Sequence, residues 1–297
     1  MSASSLVCAF PGQGIQKPGM ADGIRETGVW KFFERANDIL DYDLGKLCLE
    51  GPAETLSRTV YAQPAIFVTS YAIWELYKSD YEPDYLMGHS LGEITALVAA
   101  GAFSFEEGVK LVQKRGTLME HTGLNGGMSA ILGLDLETVH ELVKQVTSGF
   151  VQVSNENSPG QTVVSGDEQG LESLAVLAKE QGAKRVVRLN VSGPFHSKLM
   201  ESVAEKFEEV VNKLEIQTLH TPVISNDGEN ILRDPEQVRK SLVTQIIKPV
   251  RFIASIEKLV DLGVDDFVEI SPTQLLIPLV RRIDPRLKTT LVKDGGI

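Results

Sequence analysis

"YLMGHSLGEITALVAA", residues 85–100, runs from a short apolar segment through Gly88-His89-Ser90-Leu91-Gly92 straight into a row of helix formers. A strand that becomes a helix within five residues is the building unit of a sheet with helical crossovers, and G-x-S-x-G at that junction is the pattern of a nucleophile elbow. The glycines answer a steric need, since side chains on either side of so sharp a turn collide. The helix start beyond it offers free N–H groups and a positive dipole end to a developing oxyanion. From pattern and context alone, a serine that merely caps the following helix remains the competing reading.

Outward from this junction the same alternation continues. "SLVCAFPGQG", residues 5–14, reads as another buried strand ended by a Pro-Gly turn, with Gln13 in the loop beyond it. Helical periodicity covers residues 28–41 and 63–79. Strands alternating with helices predict an α/β chain with a mostly parallel sheet covered on both faces. Residues 128–191 change rhythm: "MSAILGL", "LETVHELVKQV", "FVQVSNENS", "QTVVSGD", "GLESLAVLAKEQG" and "AKRVVRLNV" give β-α-β-β-α-β, the ferredoxin-like arrangement. Flexible punctuation flanks it, "GLNGG" at 123–127 and "SGP" at 192–194. The expected organisation is a small domain, 127–195, inserted into a discontinuous large domain, 1–126 and 196–297, with the cleft between them as the default site. Past 196 come a helix at 197–214, a strand at 222–226, a further helix, a strand at 265–271 and a last helix at 273–283.

Composition narrows the function. The 297 residues carry 29 Lys+Arg against 40 Asp+Glu, a formal charge of −11, which argues against a nucleic-acid-binding face. Only Cys8 and Cys48 are present, without CxxC spacing, so neither a disulfide framework nor a metal site is indicated. No run of about 18 apolar residues appears, and the opening "MSASSLVCAF" lacks a basic segment and a long apolar one. An unexported, cytoplasmic protein without membrane or nucleic-acid partners is expected, with monomer as its default state.

A nucleophilic serine needs a base, and five histidines compete for the role. His89 neighbours Ser90 along the backbone, so its side chain is expected to point away. His121 and His140 fall in helical patterns, and His220 precedes a proline by two residues. His196, in "SGPFHSKLM", stands at the domain crossover, where a loop residue can enter the cleft; a polar helix-start residue is the alternative. Arg115 is the second informative position. Leu111, Val112, Leu118 and Met119 lie −4, −3, +3 and +4 from it, which puts a guanidinium on an apolar helix stripe. Such a charge either pairs with an internal acid or waits for a carboxylate that arrives with the substrate. "PGQG", residues 11–14, lacks phosphate-loop spacing and could instead set a backbone N–H beside that of Leu91.

Taken together, "FPGQGIQKPGM", "YAQPAIF", "GHSLGEITALVAAGAFSFEEGVKLVQKRGTLM", "NSPGQTVVSG", "GPFHSKLM", "PVISN", "TQIIKPVRF" and "VEISP" resemble the malonyl-CoA:acyl carrier protein transacylase family along nearly the whole chain. The resemblance implies an α/β-hydrolase-like large domain with a ferredoxin-like small one. It implies acylation of Ser90, His196 as general base, Arg115 on the malonyl carboxylate, and Gln13 and Leu91 as oxyanion-hole donors, with Asn226 and Gln245 nearby. Its partners would be malonyl-CoA and a holo acyl carrier protein, with the coenzyme A thioester as substrate and no bound cofactor. Departures from the family pattern, Ile94, Ile15 and Pro194, bear on side-chain selectivity, whereas Phe195 is the residue usual beside the histidine for malonyl over methylmalonyl. Two other activities compete: transfer of a substituted malonyl unit or from a carrier-bound donor, and an editing hydrolase. Lys184, Arg185 and Arg188, or Arg281 and Arg282, could meet an acidic carrier.

Overall fold

In β1 (Ser5–Phe10) the consecutive residues Val7, Cys8, Ala9 and Phe10 are all fully buried, which only a strand covered on both faces achieves. The computed structural model describes residues 5–293, so residues 1–4 and 294–297 of the expected large domain lie outside the described residues. The remaining strands are β2 (Tyr85–Gly88), β3 (Gly126–Leu132), β4 (Val151–Ser158), β5 (Gln161–Asp167), β6 (Arg185–Arg188), β7 (Val223–Ile224), β8 (Ile231–Leu232), β9 (Val264–Ile270) and β10 (Lys288–Val292). They form two sheets. The larger has the order β10-β9-β1-β2-β7-β8, parallel throughout except for the short β7–β8 pair.

The smaller sheet, β4-β5-β3-β6, is antiparallel and has the strand order of a ferredoxin-like unit. Its strands alternate as a two-faced sheet must. Ile131 and Val164 face the helices Leu136–Gln145 and Glu168–Glu180, while Ala130 and Val163 join the main core on the other side. Backbone bonds tie it to the larger sheet's half: Val250 N–H donates to the Ser154 carbonyl and Glu156 N–H to that of Val250, both at 2.9 Å.

Several elements differ from the sequence reading. The last helix starts at Ile277, not 273, because the buried Glu269 carboxylate accepts the N–H groups of Leu275, Leu276 and Ile277 and so fixes its first turn there. The helix expected from 63 runs over Thr59–Tyr77, with Pro64 inside it; the Glu120 carboxylate takes the Val60 N–H and packing outweighs the bond that Pro64 cannot make. Strands β8 and β10 were not anticipated; the first has two residues and the second mixes polar and apolar ones. No helix among the described residues is long and apolar enough to cross a membrane.

The register places the site. Phe10 of β1 pairs with Gly88 of β2, and Met87 of β2 with Ile224 of β7, so three strands end at one level, where an open α/β sheet gathers its functional loops. A Cβ on Gly88 would sit 1.9 Å from the Gly92 carbonyl carbon, and one on Gly92 would sit 2.1 Å from the Phe10 carbonyl oxygen. Both glycines are therefore sterically required. Gly92→Ala is expected to destabilise the protein by about 3 kcal/mol, the upper range for forced overpacking, and to lower the thermal midpoint by several degrees. Gly28→Ala, where an added Cβ meets nothing within 4 Å, should leave the midpoint unchanged; equal midpoints for both variants would refute the steric account.

Candidate active site

Ser90 sits between β2 and the helix Leu91–Ala99 with φ 53° and ψ −108°, a left-handed-side backbone that a non-glycine residue holds only when its surroundings enforce it. That conformation lifts Oγ out of the chain's path. His196 also has a positive φ, 56°, and its Nε2 lies 2.7 Å from Ser90 Oγ. His196 Nδ1 is 2.6 Å from the Gln245 carbonyl oxygen, which can only accept. Nδ1 therefore carries the proton, and Nε2 offers its lone pair to the serine hydroxyl.

The smaller sheet holds the histidine in place. Ser165 Oγ of β5 donates to the Phe195 carbonyl at 2.5 Å, Gln152 Nε2 of β4 donates to the His196 carbonyl at 3.1 Å, and Ser197 Oγ closes the turn on the Pro194 carbonyl at 2.5 Å. Burial first, and the Arg115 charge second, push the His196 pKa from 6.5 to about 3, against the opposing Gln245 carbonyl bond. The imidazole is neutral at pH 7, as a base must be. Because the folded value lies below the unfolded one, this group's contribution to stability is complete above pH 6.5 and is lost as pH falls toward 3. The acidic limb of single-turnover kcat/KM should accordingly fall well below pH 6.5; a limb at 6.5 would contradict a buried, neutral His196.

Arg115, 1% exposed, projects from the helix Phe105–Glu120 to the same point. Its Nη2 donates to Gln245 Oε1 at 3.0 Å and lies 3.3 Å from Ser90 Oγ, while its Nε has no partner. Among the described residues no carboxylate comes within ion-pair distance of it. Burial lowers its pKa to about 10, with Glu93 opposing, so the guanidinium is charged at neutral pH. Of the two alternatives left by the sequence, the internal ion pair is absent.

Gln13 follows β1 and lines the cavity with Ser90 and His196, and its Oε1 accepts from Gln63 Nε2 at 3.2 Å. The loop before it backs onto the elbow: a Cβ on Gly12 would meet the His89 carbonyl oxygen at 2.7 Å. Leu91 is the first helical residue, so its N–H has no intrahelical acceptor. The Ser90 N–H, by contrast, is taken by Asn226 Oδ1 at 2.9 Å, just past β7. The cavity above, about 150 Å³, is walled on the small-sheet side by apolar groups including Met128, Leu189 and Phe195.

His196 is the histidine bonded to Ser90 Oγ, although His89 lines the same cavity. His89 Nε2 meets Asn157 Oδ1 at 2.9 Å, with its ring against Phe252; His121 turns to the Thr117 carbonyl; His140 reaches Glu156 at 3.6 Å; His220 packs over Gly101. One residue escaped the sequence reading. Glu93, fully buried, accepts from the Asn226 N–H at 2.7 Å, Asn226 Nδ2 at 2.5 Å, Ser241 Oγ at 2.9 Å and Gln245 Nε2 at 3.2 Å. The signal available was a lone acid in the otherwise apolar run after Gly92.

The constellation is a hydroxyl, a neutral imidazole poised to deprotonate it, and a dry cation with an open fork. It suits acyl transfer from a substrate that bears an anionic end. Residues 7–284 match the acyl transferase domain family. The malonyl CoA-acyl carrier protein transacylase of Bacillus subtilis is 44% identical over 298 residues, covering 98% of this chain and 94% of that protein. The acyl carrier protein S-malonyltransferase of Vibrio cholerae superposes with a TM-score of 0.92 at 36% identity, covering 98% and 97% of the two chains. A malonyl-transacylase solved in complex with its type II polyketide-synthase acyl-carrier protein superposes with a TM-score of 0.94 at 36% identity, covering 98% and 96%.

Proposed function

The chain belongs to the acyl transferase domain family, and from that membership we propose that it moves a malonyl group from malonyl-CoA to the phosphopantetheine thiol of an acyl carrier protein. The observation that carries the reading is Arg115, a buried guanidinium with no carboxylate partner among the described residues, 3.3 Å from the serine that would be acylated. Such a charge is costly unless the substrate completes it.

Ser90 Oγ attacks the thioester carbonyl carbon as His196 Nε2 takes the hydroxyl proton. The oxyanion is met by the N–H groups of Gln13 and Leu91. Collapse breaks the C–S bond, and the proton passes from His196 to the departing coenzyme A thiolate. The carrier's thiol then gives its proton to His196 as its sulfur attacks the Ser90 ester; the acyl C–O bond breaks, His196 returns the proton to Ser90 Oγ, and the carrier leaves malonylated. Asn226 and Gln245 orient the reacting groups. The scheme balances without a bound cofactor, the coenzyme A thioester being substrate.

Residues 127–195 act as a small domain bringing His196 and the apolar wall to the cleft, and 1–126 with 196–297 as the catalytic domain. A cytoplasmic monomer without nucleic-acid or membrane partners is the setting that this chemistry and the charge balance favour.

Intact-mass measurement tests the reading. An acyl adduct on Ser90 is expected to form rapidly with malonyl-CoA and far more slowly with acetyl-CoA, and the malonyl group is expected to transfer to holo carrier protein on mixing. An adduct only with methylmalonyl-CoA would establish a substituted unit; steady hydrolysis without carrier transfer would establish an editing hydrolase; no reaction with any thioester would overturn the proposal.

A further inference from the structure

Arg115 and Glu93 are the two charges buried behind the nucleophile, and they do not touch. Between them stands the side chain of Gln245, its Nε2 on Glu93 Oε1 at 3.2 Å and its Oε1 on Arg115 Nη2 at 3.0 Å. We propose that Glu93 is a positioning residue that turns the Gln245 amide so that Arg115 is held in place with its fork open for the substrate's carboxylate. The inference rests on the malonyl-transfer reading and deepens it.

A carboxylate in direct contact with a guanidinium takes two of its N–H groups in a bidentate fork, which would fill the groups a substrate carboxylate needs. One amide in between carries the compensation while engaging a single nitrogen of the guanidinium, Nη2, and Nε has no partner. An ionised carboxylate only accepts, so it dictates which way the amide faces. Gln245 meets Glu93 with its Nε2, and its carbonyl end is thereby turned to the cation; a reversed amide would set NH₂ against guanidinium.

Glu93 is itself unpaired by any cation among the described residues and is held instead by four donors. Those donors favour its ionised form against the upward push of burial on its pKa. Its negative charge in turn opposes the desolvation of Arg115. The same carboxylate grips Asn226, whose Oδ1 occupies the Ser90 N–H.

His196 is bonded to the backbone carbonyl of Gln245, so substitutions of the Gln245 side chain leave the base its partner. That separation makes the test selective. Glu93→Gln and Gln245→Leu, each assayed by single-turnover acylation of Ser90 with malonyl-CoA and acetyl-CoA, should lower the malonyl-to-acetyl ratio of kcat/KM by about ten- to a hundredfold, the worth of a hydrogen bond to a charged group. The double variant should lose no more than the worse single one, because both break one relay. A purely architectural Glu93 would instead slow both substrates alike, and an unchanged ratio overturns the inference. Should Glu93→Gln fail to fold, Gln245→Leu decides by the same ratio. If wild-type protein forms no malonyl adduct, the function falls and the relay with it; if it does and the ratio holds in the variants, only the relay falls.

Discussion

Arg115→Met lowers kcat/KM for malonyl-CoA by about 10²–10⁴-fold while changing acylation by acetyl-CoA less than about tenfold. The magnitude follows from stranding a carboxylate in a dry site without its cation, which costs about 3–5 kcal/mol for a broken buried pair. Methionine fills similar space with an apolar chain, so packing is kept while the charge goes. The helix Phe105–Glu120 retains its capping box, Ser104 with Glu107, and its Phe105, Val109 and Val112 contacts with the core. The measurement is single-turnover acylation followed by mass, with circular dichroism on the same sample. A parallel fall with both thioesters would make Arg115 architectural and remove the main support for a dicarboxylic acyl substrate.

Ser90→Ala abolishes the covalent adduct and reduces transfer to the carrier protein by about 10³–10⁶-fold, the range seen when a nucleophile is deleted from a unit that acts together. His196→Ala should fall comparably, and Ser90→Ala with His196→Ala should be no slower than either alone. The reason lies in the 2.7 Å contact: neither partner does its part of the proton transfer without the other. The third element is a backbone carbonyl, Gln245 O, rather than a carboxylate, so no single side-chain deletion mimics loss of an acid. Persistence of a mass adduct on Ser90→Ala would place the acyl group elsewhere and refute the assignment of the elbow.

The parts of this protein legible in its sequence are those set by local geometry. Gly88 and Gly92 flank Ser90 because the turn brings their own backbone, and that of Phe10, to within 2.1 Å of where a Cβ would stand, and this requirement is written within five residues. The alternation of strand and helix gave the parallel sheet, and the changed rhythm after 126 gave the antiparallel one, since periods of 2 and 3.6 are properties of contiguous chain. The stripe around Arg115 likewise revealed its burial. Whether that charge was paired could not be read from spacing, because its surroundings come from Gln245 and Ser90, 130 and 25 residues away.

Glu93 marks the boundary most clearly. In sequence it is an acid in the first turn of a helix, where the dipole favours one at the surface. Only the packing of β7 and of the helix Pro235–Thr244 over that turn buries it completely and turns it into the acceptor of four hydrogen bonds. The start of the last helix was decided in the same way, by the carboxylate of Glu269 on a neighbouring strand. Sequence determined which residues must be small, apolar or exposed to the cleft; tertiary structure decided which buried charges meet and which are kept one amide apart, because that depends on distances between segments more than a hundred residues apart.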